Sequence, residues 1–119
     1  MQFVLLIYQG STPLPNSEEW KTLSEEEKKR IYTEYEAVNK TPGVMPGLPL
    51  GLAKDATTVH VQNGETRAKK GPFVDAMGAV GGYFMLEADN LDAAIKLAGR
   101  IPAACLGGAV EIRPVEKYW

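Results

Sequence analysis

Two stretches of this sequence, residues 2–8 (QFVLLIY) and 82–88 (GYFMLEA), are apolar at nearly every consecutive position rather than at alternate ones. In an extended chain successive side chains point to opposite faces. Phe3, Leu5 and Ile7 therefore share one side of the first stretch, and Val4, Leu6 and Tyr8 the other. A strand greasy on both sides has to be covered on both sides. Any fold for this chain must supply two layers over these two segments.

The remaining elements follow in order. GSTPLPNS, after the first run, breaks regular structure with Gly, Pro and Ser. Ser24 and Glu27 form a capping box that opens a helix, and Glu25 to Glu27 suit the positive end of its dipole. Ile31, Tyr35 and Val38 give its packing stripe, with Trp20 and Leu23 covering the N-terminal end. Pro42 and Gly43 stop it near Lys40. Residues 44–52 (VMPGLPLGL) are apolar but rich in Pro and Gly, which confines any strand there to a sheet edge.

Asn63-Gly64, between TTVHVQ and ETRAKK, predicts a two-residue hairpin turn. Pairing outward from it puts Val59, Val61, Thr66 and Ala68 on one face of a 57–70 hairpin. Thr58, His60, Gln62, Glu65, Arg67 and Lys69 share the other, which is polar with a basic centre. A second helix, capped by Asp89 or Asn90, carries Leu91, Ala94, Ile95, Ala98 and Ile101 on one side and ends at Pro102. Gly107-Gly108 then turns the chain into an edge strand over 109–115, with Val110 and Ile112 inward and Glu111 and Arg113 outward.

Without the hairpin, the order is strand, helix, strand, strand, helix, strand. This is the ferredoxin-like βαββαβ arrangement of an α+β fold, with the first and third strands central. Helices cover only one face of such a sheet. In so short a chain the second cover is expected to be another copy, and two sheets packed face to face make a dimeric α+β barrel. The hairpin is then an insertion leaning over its rim. The alternative is a monomer whose hairpin folds back over its own sheet. At 119 residues the chain, 1–119, reads as a single domain with a core of its own.

Net charge is −2, which gives no nucleic-acid footprint, and no segment is long enough to span a bilayer as a helix. The single cysteine, Cys105, reads as a buried thiol and suits a reducing compartment; with no leader-like start after Met1, a cytoplasmic location is expected. One His and one Cys supply no metal set, and Gly81-Gly82 enters a strand rather than a helix, so neither a metal nor a cofactor is expected.

The Gly71-Pro72-Phe73 turn, Gly81-Gly82-Tyr83 ten residues later, LDAAIKLAGRIP, VEIRPV and the opening FVLLIY together resemble the YciI-like (YCII-related) family, whose signature is D-G-P-F-A-E-T-K-E. The resemblance covers essentially the whole chain. It implies dimeric α+β barrels with a cleft in each half. Most members have no assigned activity. Some relatives act on small molecules, including dechlorination of a hydroxylated aromatic, and some are associated with extracytoplasmic-function sigma factors. The chain departs from the signature in its charges: Lys70 replaces the opening Asp, Asp75 the first Glu, and Met77 and Gly78 the Lys-Glu pair. The His-Asp unit of the founding branch has its histidine near the first helix, where this chain has none, so that pair does not carry over.

His60 is the only histidine and the one side chain that titrates near neutral pH unaided. Paired with Asp75 it would make a proton-transfer unit of lyase or isomerase type, without a cofactor. Arg67 and Lys69 would hold an anionic group, while Tyr8, Phe73 and Tyr83 would supply aromatic walls. The plainer reading is a solvated hairpin face, with each aromatic in core packing and Phe73 plugging the turn against the sheet. Met77 is read as a flexible gap-filler, and Tyr32 and Glu36 as solvated or at a dimer rim. Two functions follow: a homodimer binding a small anionic or aromatic metabolite, or a non-enzymatic module that docks on a regulatory protein.

Overall fold

The computed structural model describes residues 1–15, 17–75 and 78–118. Met77 lies outside them. The chain forms β1 (Gln2–Tyr8), a short α1 (Glu18–Lys21), α2 (Glu25–Asn39), β2 (Val44–Pro46), the hairpin strands β3 (Thr57–Gln62) and β4 (Glu65–Lys70), β5 (Val80–Glu87), α3 (Leu91–Ala98) and β6 (Ala109–Pro114). The fold is α+β with antiparallel sheets. A four-stranded sheet runs β2-β5-β1-β6, and β3-β4 stand as a separate two-stranded sheet. The two segments apolar on both sides are thus the central strands, where a strand has a neighbour on each side and no free edge.

Register explains the layers. Phe3 pairs with Leu86 and Leu5 with Phe84 across β1 and β5, and Leu5 with Ile112 across β1 and β6. These side chains form the core with Val38 of α2, Ala94 and Leu97 of α3, and Ile101 and Ala103 beyond it. Both longer helices therefore cover the same face. On the opposite face Val4, Leu6 and Met85 are only half-buried, and Met45 and Tyr83 are exposed. That second face has no cover within the described residues.

Local signals act where the chemistry requires. The Ser24 hydroxyl accepts from Glu27 N at 3.1 Å while the Glu27 carboxylate accepts from Ser24 N at 3.2 Å, closing the capping box of α2. The Ser24 N–H, and after it the Ser24 hydroxyl, hold the Glu27 carboxyl below its usual range. Asn63 and Gly64 have φ of 52° and 77°, the left-handed pair that a tight hairpin needs. The turn fixes the whole β3–β4 register, with His60 opposite Arg67 and Thr58 opposite Lys69.

Three expectations are corrected. α3 buries Ala94, Leu97 and Ala98, whereas Leu91 and Ile95 are half exposed: the helix is rotated so that Leu97 rather than Ile95 meets the sheet. It also ends at Gly99, and Pro102 opens a separate 3-10 turn over Pro102–Ala104. Cys105 is exposed rather than buried, because it lies just past that turn and Ala103 occupies the inward position. Its Sγ donates back to Pro102 O at 3.4 Å.

Leu5→Ala, at a position with 0% exposure, is expected to cost about 3 kcal/mol in urea unfolding. Ser24→Ala should cost about 1 kcal/mol through loss of the cap. Equal losses for the two would contradict this division between core and cap.

Candidate functional site

The last inward rungs of the central strands are Ile7 and Phe84, and beyond them the sheet gives way to loops. Here α2 presents Ile31, Tyr35 and Asn39, the 12–15 segment presents Pro13, Leu14 and Pro15, and the 47–50 segment presents Leu48 and Leu50. Together with Trp20 and Tyr83 they line a half-open pocket of about 350 Å³. Apolar walls with a few polar groups are typical of small-molecule sites. The two Pro-rich loops are suited to roofing it, because they cannot extend the sheet as inner strands and instead carry apolar side chains over its end.

The polar groups converge at one corner. Gln9 follows β1 directly, and its Oε1 is buried with no hydrogen-bond partner among the described residues. A buried carbonyl oxygen in that state costs free energy, on the order of 1–3 kcal/mol. Its side chain lies across Gly81, where an added Cβ would collide with Gln9 Cγ and sit 2.8 Å from Nε2. The Tyr35 hydroxyl faces the Gln9 amide and the Ala103 backbone. Burial pushes its pKa above the ordinary tyrosine value, outweighing the opposite pull of those two groups. Tyr35 is therefore a protonated donor through the neutral range. Thr12, 8% exposed, ties the roof down: its hydroxyl donates to Leu106 O at 3.3 Å and its N–H to Gln9 O at 2.8 Å. Trp20 is buried edge-on against Tyr32, with centroids 5.4 Å apart. Tyr32 is thus a pocket residue as well as a partly exposed one, while Glu36 is exposed and paired with Lys40 at 2.6 Å.

Of the candidate catalytic and binding residues read from sequence, only Tyr83 lines this pocket. Its ring lies against Gly47 of the roof. Tyr8 is half-buried on the uncovered sheet face, between Val80 and Ala109. His60, Arg67 and Lys69 stand exposed on the hairpin, with Arg67 Nη2 held by Glu65 Oε2 at 3.0 Å. Phe73 does not plug the turn against the sheet. It is 76% exposed, and its ring meets that of His60, with centroids 5.6 Å apart. The reason is its place just past the hairpin, which leaves it beside β3 rather than under β5. Asp75 is exposed, and among the described residues no hydrogen bond or ion pair joins it to His60. Two groups therefore emerge: a His60–Arg67–Phe73 cluster on the hairpin, and a half-open pocket built by other residues. Among the described residues no set of three or more His, Cys, Asp or Glu side chains could hold a metal ion, and no helix is long and apolar enough to cross a membrane.

The pocket residues that sequence reasoning missed, Gln9, Thr12 and the two roofs, left one usable signal. GSTPLPNS and PGLPLG pair Leu with Pro, and apolar side chains in segments that cannot be inner strands must cover something.

Comparison with known families finds that the model of the YCII-related domain matches residues 1–118. No curated protein matches the chain.

Gly81→Ala is expected to displace Gln9 and cost about 1–3 kcal/mol as overpacking; a variant as stable as the parent would contradict the contact. In alkaline titration one of the five tyrosines should ionise later than the rest and be missing in Tyr35→Phe. The raised native pKa means that the folded chain keeps a proton that the unfolded chain gives up. Stability is then full below about pH 10 and falls as pH climbs through the native value, and Tyr35→Phe should flatten that fall.

Proposed function

The chain belongs to the family of YCII-related domains, and from that premise we propose that it is a small-molecule-binding homodimer whose ligand occupies the pocket between α2, the ends of β1 and β5, and the two Pro-rich roofs. The observation that carries this reading is an apolar pocket of about 350 Å³ walled by aromatic rings, with Gln9 and Tyr35 together at its polar corner. The Gln9 side-chain amide lines that corner and favours a ligand carrying a polar group such as a hydroxyl. Tyr35 beside it offers a second polar contact, and Trp20, Tyr32 and Tyr83 offer ring faces. None of the lining residues is charged. An anion buried there would lack a counter-ion, which is costly, so of the anionic and aromatic ligands expected from sequence the pocket favours a neutral aromatic one.

The lining residues also include no imidazole, carboxylate or amine. Acid–base chemistry by His60 with Asp75 thus has no support from this cavity, and binding is the reading preferred. Dimerisation is supported by the uncovered face bearing Val4, Leu6, Tyr8, Tyr83 and Met85. The sheet order and one-sided helix layer are compatible with a ferredoxin-like sheet closing with its twin into an α+β barrel. A cytoplasmic setting suits the lone, exposed thiol of Cys105. The competing reading, a module docking on a regulatory protein such as an extracytoplasmic-function sigma factor, draws its support from the exposed hairpin rather than from the pocket.

The test uses 2-naphthol, with naphthalene as the partner lacking a hydroxyl. In NMR titrations 2-naphthol should perturb the Trp20 indole and Tyr35 ring signals. Gln9→Leu should weaken it about tenfold, the worth of one buried hydrogen bond, and leave naphthalene unchanged. No perturbation at Trp20 and Tyr35 by either compound would end the pocket assignment. Equal affinity of parent and Gln9→Leu for 2-naphthol would end the role of Gln9.

A further inference from the structure

We propose that the β3–β4 hairpin is an arm that packs on a second copy of this chain through its Val59, Val61, Thr66 and Ala68 face; this rests on the homodimer inferred above. The register brings those four side chains together, Val59 opposite Ala68 and Val61 opposite Thr66. Within one chain they meet water. Val59 is 58% and Val61 68% exposed. At its base the arm is closed on itself, where Thr58 Oγ1 donates to Gly71 O at 2.8 Å and Gly71 N to Ala56 O at 2.7 Å. Along its length it makes no extensive contact with the main sheet or the longer helices. A two-stranded ribbon with no cover is marginal in water, and two valines set side by side on it are a poor choice for a solvated surface.

The dimensions agree. The radius of gyration is 16.1 Å, where a compact chain of this length has about 13.5 Å. The accessible surface is 8374 Å², against about 6,300 Å² for a folded monomer of this mass. The surplus, roughly 2,000 Å², exceeds the ~800 Å² that each partner gives to a standard interface and falls in the range of obligate homodimers.

A second copy is the occupant that this surplus fits best. In a two-fold contact the same patch is used by both chains, so the arm contact occurs twice per dimer. The uncovered sheet face already calls for the same partner. The arm's other face, with His60, Gln62, Glu65, Arg67 and Lys69, keeps its charges in water when the valine face is buried. Nucleic acid is a poor alternative at a net charge of −2 with Arg67 already paired to Glu65.

Sedimentation velocity on the full chain and two variants tests this. The parent should run at twice 13.0 kDa. Val59→Asp/Val61→Asp should dimerise about a hundredfold more weakly, and Gln62→Asp on the opposite face should match the parent. A parent at 13.0 kDa overturns the homodimer and the arm together. A parent dimer with an equally tight Val59→Asp/Val61→Asp dimer overturns the arm alone, and so does dissociation by Gln62→Asp to the same extent. If the double variant misfolds, the parent decides: on dilution through dissociation the Val59 and Val61 methyl resonances should shift, and constant resonances there would overturn the proposal.

Discussion

Burial on one side of β1 and β5 is the constraint from which the rest of this structure follows. Phe3, Leu5, Ile7, Phe84 and Leu86 are all below a tenth exposed and all face the helices. Each contributes about 2 kcal/mol by leaving water, so the group is on the scale of a domain's whole net stability. The helices that accomplish this are consumed by it. α2 gives Val38 and α3 gives Ala94 and Leu97 to that one face. Nothing is left among the described residues to cover Val4, Leu6 and Met85, which the same strands must present on the other side. The pleat that makes the core also makes the uncovered face.

The pocket is a consequence of where that core stops. Helix α2 divides its inward side between core and pocket: Val38 packs in the core, while Ile31, Tyr35 and Asn39 line the space beside it. A helix without a strand beneath it leaves space, and the space is roofed by loops instead of being filled by side chains. Gln9 stands at the edge of this region because it is the first residue after β1. It inherits a buried position without a strand partner for its side chain. The same crowding leaves no room for a Cβ at Gly81. The polar corner of the pocket therefore lies at a strand end, where Gln9 and Tyr35 meet.

How much of this is legible in the sequence depends on whether the deciding interaction is local. The capping box at Ser24 and Glu27, the Asn63-Gly64 turn with its register, and the central placement of the two oily strands can all be read because spacing along the chain decides them. The buried face of α3 takes Leu97 where periodicity pointed to Ile95, since a helical repeat admits both and only the approach angle to the sheet chooses. For Cys105 and Phe73, residue type alone argues for an inward position. A 3-10 turn and the neighbouring β3 strand decide otherwise. The pocket is the least legible part. It joins residues near positions 9, 35, 48 and 81, and no pairwise spacing announces that four loops and ends converge. His60 stands out in the sequence because it can titrate, yet the pocket is built from groups that do not titrate near neutrality.

That contrast bears on what kind of molecule this is. A site lined by Gln, Thr, Asn and a tyrosine held in its protonated form offers fixed dipoles and ring faces, the means of recognition rather than of proton transfer. The one imidazole stands apart on the hairpin, beside Phe73 and opposite Arg67. A single copy thus separates the group that could carry a proton from the cavity that could hold a substrate. The signature charges at Lys70, Met77 and Gly78 have also been replaced, so the segment that joins hairpin to sheet keeps its Gly-Pro-Phe turn with most of its acids gone. On the readings proposed above, the hairpin serves by its apolar face, as a contact between copies, and the pocket as the ligand site.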